Sequence, residues 1–185
     1  EILWASNSPR RRELLAGLDI DYRVTALPEV DESYPDTLSG EEIPLYISQE
    51  KAAAYRRFMK DNTLLITADT IVWLDGKVYG KPHDIADAKA MLQALSGKTH
   101  TVITGVTLTS LQKQISFAVS TEVTFAALGD DEIDYYVETY RPLDKAGAYG
   151  VQEWIGYIGV TGLKGSYYNV MGLPIQRLYT ELKKF

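Results

Sequence analysis

The run Leu64-Leu65-Ile66-Thr67-Ala68-Asp69-Thr70-Ile71-Val72-Trp73-Leu74 constrains the fold of this chain more than any other segment. Residues 63–74 are β-rich, and Asp75-Gly76 behind them is a strong hairpin signal leading into a short strand at 77–79. One carboxylate, Asp69, sits in the middle of this apolar stretch. A carboxylate there is costly unless it is paired, hydrogen-bonded or bound to a metal. Asp69 is therefore a candidate general base or divalent-cation ligand. The alternative is a strand-end Asp that bonds only to backbone.

Elements of both kinds alternate around this strand. Residues 2–6 read as a short buried strand, and 9–16 as a helix capped by Ser8, with Pro9 in its first position and Gly17 closing it. A second strand is expected at 22–27, an acidic loop at 28–42 and a helix at about 43–59 with Ile43, Tyr46, Ile47 and Tyr55 on its buried face. Asp84 caps a helix that runs to Gly97, with Asp87 in a capping-box-like position and Ala88, Met91, Leu92 and Leu95 buried. Strands at about 100–110 and 115–127 form an antiparallel hairpin, and 130–140 a helix with acids at its N-terminal end. Residues 143–174, rich in Gly and Tyr, read as loops and short strands before a last helix at 174–184. The order predicts an α/β or α+β fold built on a mixed sheet, in one domain over 1–185.

The beginning of the chain carries a second chemical signal, Ser6-Asn7-Ser8-Pro9-Arg10-Arg11-Arg12. Three arginines in the first turn of a helix oppose the helix dipole, which makes sense if an anion is expected there. Backbone N–H groups, two hydroxyls and guanidinium forks together form a phosphate cradle. The alternative is a solvated basic turn whose charges pair with Glu13 or nearby acids. Lys81 lies in Tyr79-Gly80-Lys81-Pro82, held extended before proline, and is a plausible phosphate ligand or a solvated lysine. Asp31 and Glu32 could supply a second carboxylate to a metal beside Asp69, or belong to a solvated acidic loop. Lys51, on a helix after Glu50, says nothing by itself.

Composition narrows the classes. The 185 residues carry 19 Lys+Arg against 25 Asp+Glu, a net charge of −6, which argues against non-specific binding of nucleic acid or anionic membrane. The 13 tyrosines are not interleaved with basic clusters as a base-stacking platform requires. Absence of cysteine removes disulfides, thiolate zinc sites and cysteine nucleophiles, and two histidines exclude a multi-histidine metal centre. Residues 76–82 lack P-loop spacing, 156–162 lack the dinucleotide fingerprint, and no Gly-x-Ser-x-Gly elbow occurs. No membrane span or signal peptide is visible, so the default expectation is a cytoplasmic protein. Cations for a polyphosphate, carboxylates for a divalent cation and one carboxylate to orient or deprotonate water are what phosphoanhydride hydrolysis needs.

Taken together, several segments are similar to the Maf-like nucleotide pyrophosphatases. They are Ser6-Asn7-Ser8-Pro9-Arg10-Arg11, Glu50-Lys51-Ala52, Ala68-Asp69-Thr70-Ile71-Val72, Gly80-Lys81-Pro82 and Leu95-Ser96-Gly97. Leu143-Asp144-Lys145-Ala146-Gly147-Ala148-Tyr149-Gly150-Val151-Gln152, Gly165-Ser166-Tyr167 and Val170-Met171-Gly172-Leu173-Pro174 complete the series in the same order. The resemblance implies an elongated α/β fold of two lobes with a central cleft, usually dimeric. It also implies hydrolysis of nucleoside triphosphates to monophosphate and pyrophosphate with a divalent cation, Mg2+ or Mn2+. The family is associated with removing non-standard nucleotides and with septum formation. By the same resemblance Asp69 would accept a proton from the water that attacks the α-phosphorus. Ser6, Arg10, Arg11, Lys51 and Lys81 would line the triphosphate site. Glu32 would join Asp69 at the metal, with Asp31 as the alternative.

The segment 145–152 resembles the branch acting on dTTP and UTP, in which Arg10, Thr70 and Gln152 would select the base. A glutamine amide can pair with the O4 and N3–H edge shared by thymine and uracil, and cytosine reverses that pattern. Glu153-Trp154-Ile155 departs from the smaller residues expected after the glutamine, and His83 stands where arginine is common. The competing function is a non-catalytic nucleotide sensor regulating septum formation through a protein partner. Asp69 separates the two, because a sensor needs no base beside the phosphate.

Overall fold

A computed structural model describes residues 1–25 and 29–185. The expected mixed α/β architecture is present. Seven strands among the described residues make one mixed sheet in the order β2-β1-β3-β5-β6-β7, with β4 paired to β3. The strands are β1 (Ile2–Trp4), β2 (Arg23–Val24), β3 (Leu64–Leu74), β4 (Lys77–Tyr79), β5 (Thr99–Thr109), β6 (Gln114–Phe125) and β7 (Val160–Lys164). The helices are α1 (Pro9–Ala16), α2 (Glu42–Tyr55), α3 (Ile85–Leu95), α4 (Asp130–Tyr140), α5 (Trp154–Gly159), α6 (Tyr167–Met171) and α7 (Ile175–Lys184). Two compact units divide the chain. The first holds residues 1–70, 104–119 and 172–185, and the second 71–103 and 120–171.

In the first unit β1 runs parallel to both β2 and β3, with Leu3 opposite Arg23 and Leu65. Alternation along these strands sorts their side chains onto two faces. Leu3, Ala5 and Leu65 pack with Ala52 and Tyr55 of α2. Trp4, Ile66 and Ala68 pack on the other face with Leu15 of α1 and Leu178 of α7. Polar contacts fix α2 at one depth. The Thr67 hydroxyl donates to the Ser48 carbonyl at 2.7 Å, and the Ser48 and Thr107 hydroxyls share a hydrogen bond of 2.7 Å. Gly105 permits the approach: a Cβ there would lie 2.5 Å from the carbonyl carbon and oxygen of Pro44.

The second unit is built around Leu92 and Leu95 of α3, Ile133, Tyr136 and Val137 of α4, and Ile155 of α5. Its turns follow the sequence closely. Asp75 (φ 51°) and Gly76 (φ 76°) close the β3–β4 hairpin in the left-handed region, as a two-residue primed turn requires. Asp84 accepts the Asp87 N–H at 2.7 Å and starts α3. The four-residue turn 110–113 joins the neighbouring strands β5 and β6, so short a connection making them antiparallel.

Four expectations are corrected in detail. The helix expected at 43–59 ends at Tyr55 and tightens into a 3-10 turn at Arg56–Phe58. Gly17 is not the left-handed residue after α1, having φ −65°; Asp19, at φ 56°, is. The strand expected at 22–27 is confined to Arg23–Val24 within the described residues, and its positions 26 and 27 lie outside them, as does position 28 of the acidic loop. The stretch 143–174 contains the short helices α5 and α6, too brief to show a helical period. No helix among the described residues is long and apolar enough to cross a membrane.

His100 is buried in the second unit, its Nε2 bonded to the Tyr149 hydroxyl at 2.6 Å and its ring edge-on to Phe125 and Tyr149. Burial pushes its pKa from 6.5 down to about 4. The folded state thus takes up the proton less readily than the unfolded chain. The stabilisation is complete above pH 6.5 and is lost as the pH falls towards about 4. Urea unfolding at pH 7.5 and pH 4 is expected to show about 3 kcal/mol of acid destabilisation that His100→Phe lacks. An equal acid loss in both proteins would contradict this.

Candidate active site

Ser8 begins the local order. Its side chain accepts the Arg11 N–H at 3.3 Å, its own N–H donates to Ser6 Oγ at 3.1 Å, and Pro9 takes the first helical turn. The cap therefore holds Ser6 and the arginines of α1 in one frame, with no acid in that first turn to compensate them. Arg12 is exposed, whereas Arg11 turns inward. Its Nε donates to the Gly172 carbonyl at 2.7 Å and its Nη2 to Thr70 Oγ1 at 2.9 Å. Thr70 shares a further hydrogen bond of 2.9 Å with Thr104. Burial lowers the Arg11 pKa, and the negative charges of Asp69 and Glu32 oppose that.

Asp69 lies next to Thr70 on β3 and so points to the other face, the one Thr67 shares. That face carries α2, and Lys51 stands one turn beyond Ser48, whose contacts fix the helix. The Lys51 ammonium donates to the Ala68 carbonyl at 3.0 Å and contacts Asp69 Oδ1 at 3.4 Å and Glu32 Oε1 at 3.1 Å. Lys51, uninformative in sequence, is the hub. Asp69 is 8% exposed, and burial raises its pKa; Lys51 and Arg11 pull it back, while the Glu32 charge adds to the rise. The outcome is a carboxyl more basic than an exposed aspartate, beside two cations.

The two candidates for a second carboxylate behave differently. Glu32 reaches Lys51, whereas Asp31 accepts the Ser33 N–H at 2.9 Å within its own turn. Glu32 and Asp69 converge on one ammonium, so a positive charge already sits between two hard oxygen donors. Such a donor set fits Mg2+ or Mn2+. No group of three or more His, Cys, Asp or Glu suited to a metal occurs among the described residues, so further oxygens would come from phosphate and water.

Of the other residues named from sequence, Lys81 is exposed on the segment after β4 in the second unit. Gln152 belongs to that unit as well, half-buried, and its Oε1 is a buried acceptor without a hydrogen-bond partner. Arg10 is half-buried on α1. Thr70, expected to work with Arg10 and Gln152, is held by Arg11. Sequence reasoning passed over Thr104 and the Gly172 carbonyl. A threonine in a β-branched strand carries no local signal, and a backbone carbonyl carries none at all.

Mixed α/β proteins with clustered cations over paired carboxylates form a class suited to binding and cleaving phosphoanhydrides. Residues 1–185 match the family model described as Maf-like protein, and the chain belongs to that family. Relatives include the dTTP/UTP pyrophosphatase of Phocaeicola vulgatus, 67% identical over 184 residues covering 100% of this chain and 95% of that protein. The dTTP/UTP pyrophosphatases of Bacteroides thetaiotaomicron and Porphyromonas gingivalis are 63% and 54% identical, again over 100% of this chain and 95% and 94% of theirs. The Ham1 protein of Staphylococcus aureus shares the fold, with a TM-score of 0.53 and 18% identity over 98% of this chain and 100% of its own. The HAM1 protein of Coxiella burnetii does so at 0.51 and 16%, over 100% of this chain and 98% of its own.

Proposed function

We propose that this protein hydrolyses nucleoside triphosphates, dTTP and UTP foremost, to the monophosphate and pyrophosphate. The observation that carries the reading is the buried Asp69, bridged through Lys51 to Glu32 with the Arg11 charge nearby. The names of the relatives, over essentially the full chain, support the substrate class.

Asp69 accepts the proton of a water molecule whose oxygen forms a bond to the α-phosphorus. The bond from that phosphorus to the oxygen bridging to the β-phosphorus breaks, and pyrophosphate leaves with the electron pair. Arg10, Arg11, Lys51 and Lys81 neutralise the triphosphate and Ser6 helps to orient it by hydrogen bonding, so that the nucleophile meets phosphorus in line. Glu32 and Asp69 would hold a divalent cation, which supplies charge neutralisation at the phosphate oxygens. In water labelled with heavy oxygen, attack at the α-phosphorus puts the label in the monophosphate. Label in pyrophosphate would overturn the assignment.

Gln152 reads the base. Its partnerless Oε1 suits the N3–H of thymine or uracil, and its amide N–H suits O4; cytosine presents the opposite polarity at both positions. Arg10 and Thr70 complete the selection. Gln152→Ala is expected to lower kcat/KM for dTTP and UTP by about tenfold or more, with smaller loss on other nucleotides. Equal loss on every substrate would remove Gln152 from base recognition. The protein is further proposed to act as a single domain in the cytoplasm, and as a homodimer, whose mass sedimentation can test.

A further inference from the structure

The turn that carries Gln152 is held at both ends, while Gln152 Oε1 has no hydrogen-bond partner among the described residues. Glu153 donates its N–H to the Gly150 carbonyl at 3.0 Å, closing a four-residue turn with Gln152 third. Tyr136, fully buried on α4, grips both ends of that turn through one hydroxyl. The hydroxyl accepts the Gly150 N–H at 3.0 Å and donates to Glu153 Oε1 at 2.6 Å. The same Glu153 oxygen lies 3.8 Å from the Lys145 ammonium.

Steric limits tighten the clamp. A Cβ on Gly150 would come 2.6 Å from Glu153 Oε1 and 3.0 Å from Lys145 Cε. A Cβ on Gly156 would come 1.8 Å from the Val151 carbonyl oxygen, so α5 seats directly on the turn's second residue. Trp154 lies edge-on to Tyr135, with ring centroids 4.8 Å apart. Two consecutive tyrosines of α4 thus hold the Glu153-Trp154 pair that departs from the small residues expected there.

We infer that Tyr136 and Glu153 are positioning residues for Gln152: their hydrogen bond, with the Gly150 N–H, fixes the turn that aims the Gln152 amide at the base. The inference rests on the reading of Gln152 as the residue that recognises the base. Gln152 Oε1 is buried and has no hydrogen-bond partner among the described residues. A fixed turn sets the point and direction from which the Gln152 side chain leaves the backbone, which narrows the poses in which its amide can meet the base edge. The Tyr136 hydroxyl is buried and engaged by the Gly150 N–H and the Glu153 carboxylate, so it acts through the turn.

The test is a competition between UTP and CTP in one reaction, which reads the ratio of their kcat/KM values, for wild type, Tyr136→Phe, Glu153→Ala, Glu153→Gln and Gln152→Ala. Tyr136→Phe and Glu153→Ala are expected to lower the UTP preference by roughly tenfold, the scale of one lost hydrogen bond. Glu153→Gln, which keeps the acceptor, is expected to retain it. Combining Tyr136→Phe with Gln152→Ala is expected to add nothing to Gln152→Ala alone. A lower melting temperature with unchanged preference in Tyr136→Phe and Glu153→Ala would make the clamp merely structural and overturn the proposal. That result beside a Gln152→Ala protein that has lost its preference leaves the Gln152 reading intact. An unchanged preference in Gln152→Ala would overturn both.

Discussion

Asp69→Asn is expected to bind dTTP and UTP as the wild type does, while turning them over at least about a hundredfold more slowly. Asparagine keeps the shape of the side chain and an oxygen for Lys51 to donate to, at 3.4 Å in the native pair. It loses the negative charge and the capacity to take a proton from water. The reacting step should suffer most: kcat falls while the cationic side chains keep the nucleotide bound, and more divalent cation is needed for the residual rate because one of its two carboxylates is gone. The substitution also removes a buried carboxylate whose ionisation burial opposes, and the variant is expected to remain folded. Isothermal titration with a non-hydrolysable analogue, beside steady-state rates, separates the two effects. Retained turnover in the folded variant would take Asp69 out of the chemistry.

Lys51→Met carries the second large effect. One ammonium stands between Glu32 and Asp69 and also satisfies the Ala68 carbonyl at 3.0 Å. Methionine fills similar volume but provides none of this. Two carboxylates are left with less opposing charge, and the triphosphate loses a cation, so turnover should fall by about a hundredfold. The pH dependence should change in a defined direction. Burial already raises the Asp69 pKa and Lys51 opposes that rise, so its removal favours the protonated form further. Asp69 must be ionised to act as a base, so the acid limb of the rate profile should move to higher pH. An acid limb that stays in place, or moves to lower pH, would contradict the coupling. Arginine should not rescue, because a planar fork cannot serve three acceptors around a point as an ammonium does.

Local chemistry makes much of the candidate site legible in the sequence. Asp69 stood out because burying a carboxylate in an apolar strand demands a partner, and the partner is Lys51. Ser8 and Pro9 announced the start of α1, and Asp75-Gly76 the β3–β4 hairpin, because caps and primed turns need particular residues at particular positions. What stayed hidden depends on contacts between distant residues. Arg11 meets Gly172 across 161 positions of sequence and Thr70 across 59, and nothing in Arg10-Arg11-Arg12 says which arginine turns inward. The Tyr136 clamp looks like ordinary core in a helix with a buried face. Lys51 became informative only when α2 was docked by Ser48, Thr67 and Thr107. Gly156 falls in a stretch read as loops and short strands, yet its missing side chain is what lets α5 form against Val151.

The most direct measurement is pyrophosphate release from dTTP, UTP, CTP, GTP, 7-methyl-GTP and ATP, each with Mg2+ or Mn2+ and again with EDTA. The account predicts turnover that needs the divalent cation and favours dTTP and UTP over all others. Binding of these nucleotides with no turnover of any would contradict it and make the protein a nucleotide sensor.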